Sequence, residues 1–220
     1  MEAMLFKDRE EAAYRLAEKL ARYQGQNPLV LAIPRGAVGM SAVIAESLNG
    51  ELDVILVHKL RAPDQPELAI GSVDETGHVY LRDYAQIHGI NPHYLEAEKN
   101  AQMEVLKQRR AMYTPVHAPI HPSGRVVIIV DDGIATGSTM IAALHAIRAK
   151  KPARLVVATA VASQDALQEI SKIADEVVCL AVPERFYAVG QFFQEFKQVT
   201  DEEVMAILEK SRARAKKDLN

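Results

Sequence analysis

Only one cysteine, Cys179, occurs in 220 residues, so no internal disulfide framework can hold this chain together. It lies in Glu176-Val177-Val178-Cys179-Leu180-Ala181, which reads as a strand, and a buried structural thiol is expected there rather than a nucleophile. No apolar run approaches the ~18–20 residues that a bilayer-spanning helix needs. Residues 1–9 carry charges without the apolar core of a secretory signal. A large excess of one charge is also missing: the formal net charge is −3, which gives no general attraction for nucleic acid or an anionic membrane. Any phosphate site must therefore be local. His88, His93, His117 and His121 lack the spacing of a zinc site, and no Gly-x-Ser-x-Gly elbow marks a hydrolase. These absences describe a cytoplasmic protein in a reduced environment, with small molecules rather than nucleic acid or membrane as partners.

The composition, 49% hydrophobic and 25% charged, is that of an ordinary globular protein, and 220 residues fit a single domain. Ala13, Leu16, Ala17, Leu20 and Ala21 recur at helical spacing over residues 8–24, and Asn27-Pro28 breaks that helix. Leu29-Val30-Leu31-Ala32-Ile33 is the short apolar run of a fully buried strand. Pro34-Arg35-Gly36 turns the chain into a helix over 37–48, and Leu52 to Val57 reads as the next buried strand. The cycle recurs with a strand at 126–130, a helix at about 138–150, a strand at 155–161, a helix at about 164–174 and a strand at 177–181. This alternation predicts an α/β fold with a central parallel sheet flanked by helices. In such sheets ligands bind beyond the carboxyl ends of the strands.

Two regions break the cycle. Residues 60–90 are rich in Pro, Gly, Asp and His, with a hairpin signal around Glu75-Thr76-Gly77. Residues 92–113 read as a long charged helical insertion, whose Arg109 and Arg110 suit the negative end of its dipole. An aromatic stretch follows Ala181, and Thr200-Asp201-Glu202-Glu203 opens a last helix with a capping-box pattern.

The most specific signal runs from Val126 to Met140. Five apolar residues lead into Asp131-Asp132-Gly133-Ile134-Ala135-Thr136-Gly137-Ser138-Thr139, which sets two carboxylates at a strand's carboxyl end and a Gly/Thr/Ser turn at a helix start. Backbone N–H groups and the positive helix end can hold a phosphate there, assisted by the hydroxyls of Thr136, Ser138 and Thr139. Gly133 and Gly137 permit conformations or close approaches that a side chain would block. Adjacent acids suit sugar hydroxyls, which donate hydrogen bonds, or a hydrated magnesium ion. A Walker A loop is excluded, because Ser138 stands where its Lys should be, and the glycine spacing of a dinucleotide fingerprint is absent.

Residues 126–140 resemble the phosphoribosyl-pyrophosphate signature of type I phosphoribosyltransferases, and the order of elements from about residue 25 to 200 fits that family. The pattern looks closest to the family's group of uncharacterised bacterial and archaeal members. The resemblance implies a parallel-sheet α/β domain over 1–220 with a flexible loop at about 61–80 and a small C-terminal hood at about 182–198. It implies that Asp131 and Asp132 bind the ribose hydroxyls and magnesium. The turn Ile134, Ala135, Thr136, Gly137, Ser138 and Thr139 would bind the 5′-phosphate. Arg35 and Gly36 match the pyrophosphate loop, which in the family often contains a non-proline cis peptide. Lys59, and after it Arg61, match the basic residues that hold pyrophosphate. Glu67, within the loop, reads as an exposed acid rather than a base. Phe186 matches the ring that stacks on the purine in hypoxanthine-guanine enzymes, while Phe192, Phe193 and Phe196 read as core. Ala135 conflicts with that match, because 6-oxopurine enzymes carry an Asp there and adenine enzymes do not. The acceptor is thus a nitrogen compound, a nucleobase by class, of undecided identity. The implied protein is a homodimeric magnesium-dependent transferase. The alternatives are a non-catalytic regulator that senses phosphoribosyl pyrophosphate and a nucleotide-binding module without turnover.

Overall fold

The computed structural model describes residues 5–65, 68–81 and 90–217. Its centre is a five-stranded parallel sheet in the order β2-β1-β6-β7-β8, built from β1 (Leu29–Ala32), β2 (Glu51–Val54), β6 (Val126–Ile134), β7 (Arg154–Ala162) and β8 (Glu176–Ala181). The apolar runs are continuous rather than alternating because both faces are covered. Val30, Ala32, Ile128, Val130, Val156 and Ala158 join one core with α1 (Arg9–Lys19), α2 (Ala37–Leu48) and α6 (Asp201–Lys217). Leu29, Leu31, Val127, Ile129, Leu155 and Val157 join the other, with α4 (Ser138–Arg148) and α5 (Gln164–Ser171).

The helix boundaries follow their caps. Asp8 accepts a hydrogen bond from Glu11 N at the start of α1, and Ser163 accepts one from Ala166 N at the start of α5. Thr200 and Glu203 bond reciprocally at the start of α6, the capping box expected from their spacing. Asn91 and Pro92 open α3 (Pro92–Tyr113), the expected insertion.

Two expectations need correction. The run from Leu52 to Val57 is not one strand: β2 ends at Val54, and after Ile55 and Leu56 the chain enters β3 (Val57–Arg61) in a second sheet. Ile55 and Leu56 are buried, so the apolar run continues across the break. Residues 61–80 are also no single loop. They include β4 (Ala69–Asp74) and the start of β5 (Val79–Leu81), which with β3 form an antiparallel three-stranded sheet. Every residue of β4 is buried, and the sheet packs against α4 and α3. Glu67 lies outside the described residues.

The hairpin at 75–77 is present, and its cause is local. Asp74 Oδ1 accepts hydrogen bonds from Thr76 N, Thr76 Oγ1 and His78 N, and Gly77 takes φ +85° to close the turn. Arg110, besides standing at the negative end of the α3 dipole, forms a fork with Glu75, Nε–Oε2 2.7 Å and Nη2–Oε1 3.0 Å. Cys179 is half-buried on β8, its thiol pushed up by burial, which suits a structural rather than a reactive role.

The Asp74 clamp generates a stability prediction. Asp74→Ala leaves three donors without their acceptor and should cost roughly 1–3 kcal/mol in chemical denaturation. A cost below about 0.5 kcal/mol, the usual scale of a neutral surface change, would show that the hairpin is held by strand packing alone.

Candidate active site

Strand β6 continues four residues beyond the expected 126–130, so Asp131 and Asp132 belong to its last turns rather than to the loop that follows. Asp132 N donates to Asp131 Oδ1 at 2.9 Å, which fixes the Asp131 carboxylate against the backbone of its neighbour. Burial, and next the neighbouring Asp132 charge, push Asp131 well above the usual carboxylate range, while Lys59 of β3 pulls it back. Lys59 is thus within electrostatic reach of Asp131. Arg61, two residues on, is bonded through its backbone: its N–H binds Glu98 and its carbonyl accepts from Tyr94 Oη, so β3 is tied to α3 at that point.

Asp132 has a partner that no sequence pattern marked. Arg9, the first residue of α1, donates from Nε to Asp132 Oδ2 at 2.8 Å. The same guanidinium donates from Nη1 to Lys197 O at 2.7 Å and stacks 3.8 Å over the ring of Phe196. Gly36 makes room for this pair, since a Cβ there would stand 2.3 Å from Asp132 Oδ2 and 3.1 Å from Arg9 Nη2. The 34–36 loop of the neighbouring strand β1 thus abuts the acids directly.

The Pro34-Arg35 peptide is cis. Arg35 reaches from the loop to Asp201, Nη1–Oδ2 3.4 Å, and Tyr113 Oη donates to the other oxygen of Asp201 at 2.5 Å. Burial, then Asp201, push the Tyr113 phenol up, so it remains a donor at neutral pH. Asp201 and Tyr113 are two further site neighbours that the sequence reading missed.

Past the acids, residues 135–137 turn the chain into α4. Gly137 is in the left-handed region at φ +75°, where a β-branched residue would be strained. Thr136 Oγ1 and Ser138 Oγ are 3.3 Å apart, and Ser163 Oγ donates to Ala135 O at 2.6 Å, pinning the turn from the start of α5. The first N–H groups of α4 have no acceptor within the helix, as at any helix start, and face the same turn. Gly133 has another reason than phosphate: a Cβ there would come within 2.4 Å of Val189 Cγ1.

The hood residues divide unequally. Phe192 and Phe193 are core, as expected, but Phe196 is 39% exposed under Arg9. Phe186 is half-buried with its ring 5.2 Å from that of Phe192. Tyr187 stands 83% exposed beside it. Among the described residues no group of three or more His, Cys, Asp or Glu side chains is arranged for a metal, and no helix is long and apolar enough to cross a membrane. The Asp131 and Asp132 oxygens nonetheless suit magnesium, which takes one or two protein carboxylates and completes its shell with water and substrate oxygens.

The two acids should respond oppositely to neutralisation. Asp131 has a raised folded-state pKa, so its contribution to stability is present below the ordinary unfolded value of ~3.9 and is lost as pH rises through the raised value. Asp131→Asn should therefore raise Tm at neutral pH, by roughly 2–4 °C per kcal/mol relieved, and flatten its decline with pH. Asp132→Asn strands the Arg9 guanidinium and should lower Tm. Equal shifts of one sign in both variants would contradict this division of environments.

Comparison with known proteins agrees with that geometry. The family model of the phosphoribosyl transferase domain matches residues 4–194. A Mycobacterium tuberculosis protein provisionally named a phosphoribosyl transferase, present in two strains, is 39% identical over 209 residues, or 94% of this chain. The chain spans 47% of that relative's length. A Thermus thermophilus crystal structure superposes with TM-score 0.84 at 44% identity, covering 94% of this chain and 99% of that one. An Aquifex aeolicus structure shares the fold at TM-score 0.51 and 16% identity, over 83% and 78% of the two chains. The strand-end acids, the glycine-capped turn and the match over most of its length establish that the chain belongs to the phosphoribosyl transferase family.

Proposed function

We propose that the protein is a phosphoribosyltransferase that moves the phosphoribosyl group of 5-phosphoribosyl-1-pyrophosphate to a nitrogen acceptor, a nucleobase by class, and releases pyrophosphate. One observation carries the reading: the paired acids of β6 run directly into a left-handed Gly137 turn and the start of α4, with the 34–36 loop against Asp132. Hydroxyl acceptors, anion donors and a basic loop thus converge at the carboxyl edge of the sheet, where α/β proteins bind ligands.

In this mechanism the 5′-phosphate sits on the turn formed by Ile134, Ala135, Thr136, Gly137, Ser138 and Thr139. Asp132, paired with Arg9, accepts from a ribose hydroxyl, and Asp131 lies beside it. Arg35, aimed by Asp201, and Gly36 line the pyrophosphate side, and Lys59 adds a positive charge there. The acceptor nitrogen forms the bond to C1 as the C1–O bond to pyrophosphate breaks, with inversion. The oxocarbenium-like character implied by the family leaves the protein mainly positioning and charge stabilisation to supply. Magnesium, held through Asp131 and Asp132, would supply further neutralisation of the leaving pyrophosphate. Phe186, from the hood, is the stacking surface for the acceptor ring, and a homodimer is the proposed assembly.

Two measurements test these roles. Gly137→Val should weaken ribose 5-phosphate binding at least tenfold, about 1.4 kcal/mol, in protein that still folds, with Tm lowered by the strain of a β-branched residue at φ +75°. Loss of folding before loss of binding would make the glycine structural only. Phe186→Leu should weaken acceptor binding by roughly 1–3 kcal/mol, the scale of one lost stack, and leave donor affinity unchanged. Equal loss of donor and acceptor binding would return Phe186 to the core.

A further inference from the structure

Arg9 is remote in sequence from every motif of the site, yet it makes three separate engagements there. Its Nε holds Asp132 Oδ2, its Nη1 holds the Lys197 carbonyl, and its plane lies over the Phe196 ring. The side chain is only 17% exposed and its bond to Asp132 is partly buried, where a charge-assisted hydrogen bond gains strength. The guanidinium fork suits this task because its donors point in fixed, divergent directions that an ammonium cannot reproduce.

The backbone just before Arg9 is fastened to the same hood segment. Leu5 N and Phe6 N donate to Phe192 O, Gln194 N donates to Phe6 O, and Glu195 N donates to Lys7 O. Phe6 packs 5.3 Å from Phe193, which packs 5.2 Å from Phe196. Residues 5–9 and 192–197 therefore form one unit, and Arg9 is where that unit touches the acids.

From this we propose that Arg9 is a positioning residue of the donor site: it sets the Asp132 carboxylate for the ribose hydroxyls and hangs the hood segment 192–197 from the same carboxylate. With Oδ2 engaged by Arg9 and packed against Gly36 of the 34–36 loop, Asp132 keeps its other oxygen for a hydroxyl donor. Gly36 is part of this arrangement, since any side chain there would push the carboxylate off its setting. The inference rests on the donor reading given above, and adds to it a residue outside the strand-end motif and a link between donor and hood.

The test compares two ligands on the full chain by calorimetry: ribose 5-phosphate, which needs both the acids and the turn, and inorganic phosphate, which needs the turn alone. Arg9→Met, which keeps an unbranched chain over Phe196, should weaken ribose 5-phosphate roughly ten- to hundredfold, the range for a lost hydrogen bond to a charged group. Inorganic phosphate should bind as in the wild type. Arg9→Lys, which keeps the charge without the fork, should fall between them, and it carries the same comparison if Arg9→Met does not fold. Wild-type affinity or tighter binding of ribose 5-phosphate in these variants would overturn the proposal. So would equal weakening of both ligands, because a merely structural residue would act that way. Should the wild-type protein itself fail to bind ribose 5-phosphate, the donor reading falls first and this inference with it.

Discussion

Two adjacent carboxylates at the end of an apolar strand are the constraint from which the rest of the site follows. Like charges this close, in a place short of water, cannot both remain ionised without help. The protein handles them separately. Asp132 is neutralised by a guanidinium from α1, and Asp131 is pushed toward its protonated form by burial and by Asp132, with Lys59 of the second sheet opposing. Each solution draws in a distant element. The first requires the N-terminal helix to start beside the acids, and the second requires β3 to leave the main sheet for the second one.

Glycines record where this crowding is tightest. Gly36 is needed because the carboxylate of Asp132 occupies the space of its absent Cβ, and Gly137 because the chain turns left-handed there into α4. The local pattern around Asp131 was legible in the sequence for that reason: strand, acids, turn and helix are contiguous and obey short-range rules. The strands of the central sheet were legible as apolar runs, since a buried parallel strand has few other ways to look, but their order was not.

What escaped the sequence was long-range. Arg9 and Asp132 are 123 residues apart, and Arg35 and Asp201 are 166 apart; neither pairing has a local signature. Arg9 looks like any first-turn residue of an amphipathic helix, and Asp201 like any acid placed at a helix start. The break between β2 and β3 was hidden for a different reason: Ile55 and Leu56 are buried although they belong to neither strand, so hydropathy alone joins the two. In 61–80, turn-forming residues suggested a loop, but the side chains of β4 pack into a sheet between α3 and α4 and override that signal. Phe196 was read as core, and its exposed face is instead the seat of a cation. Hood and N-terminus are consequently a single structural unit although they stand at opposite ends of the sequence.

The central claim is that this edge of the sheet opens the bond between ribose C1 and pyrophosphate when a nitrogen acceptor is present. Pyrophosphate release from 5-phosphoribosyl-1-pyrophosphate and magnesium, followed against a panel of purine and pyrimidine bases, tests it most directly. The account predicts rapid, stoichiometric release with at least one planar base and negligible release with none. Tight donor binding without release across the whole panel would contradict it and leave a protein that binds the donor without turning it over.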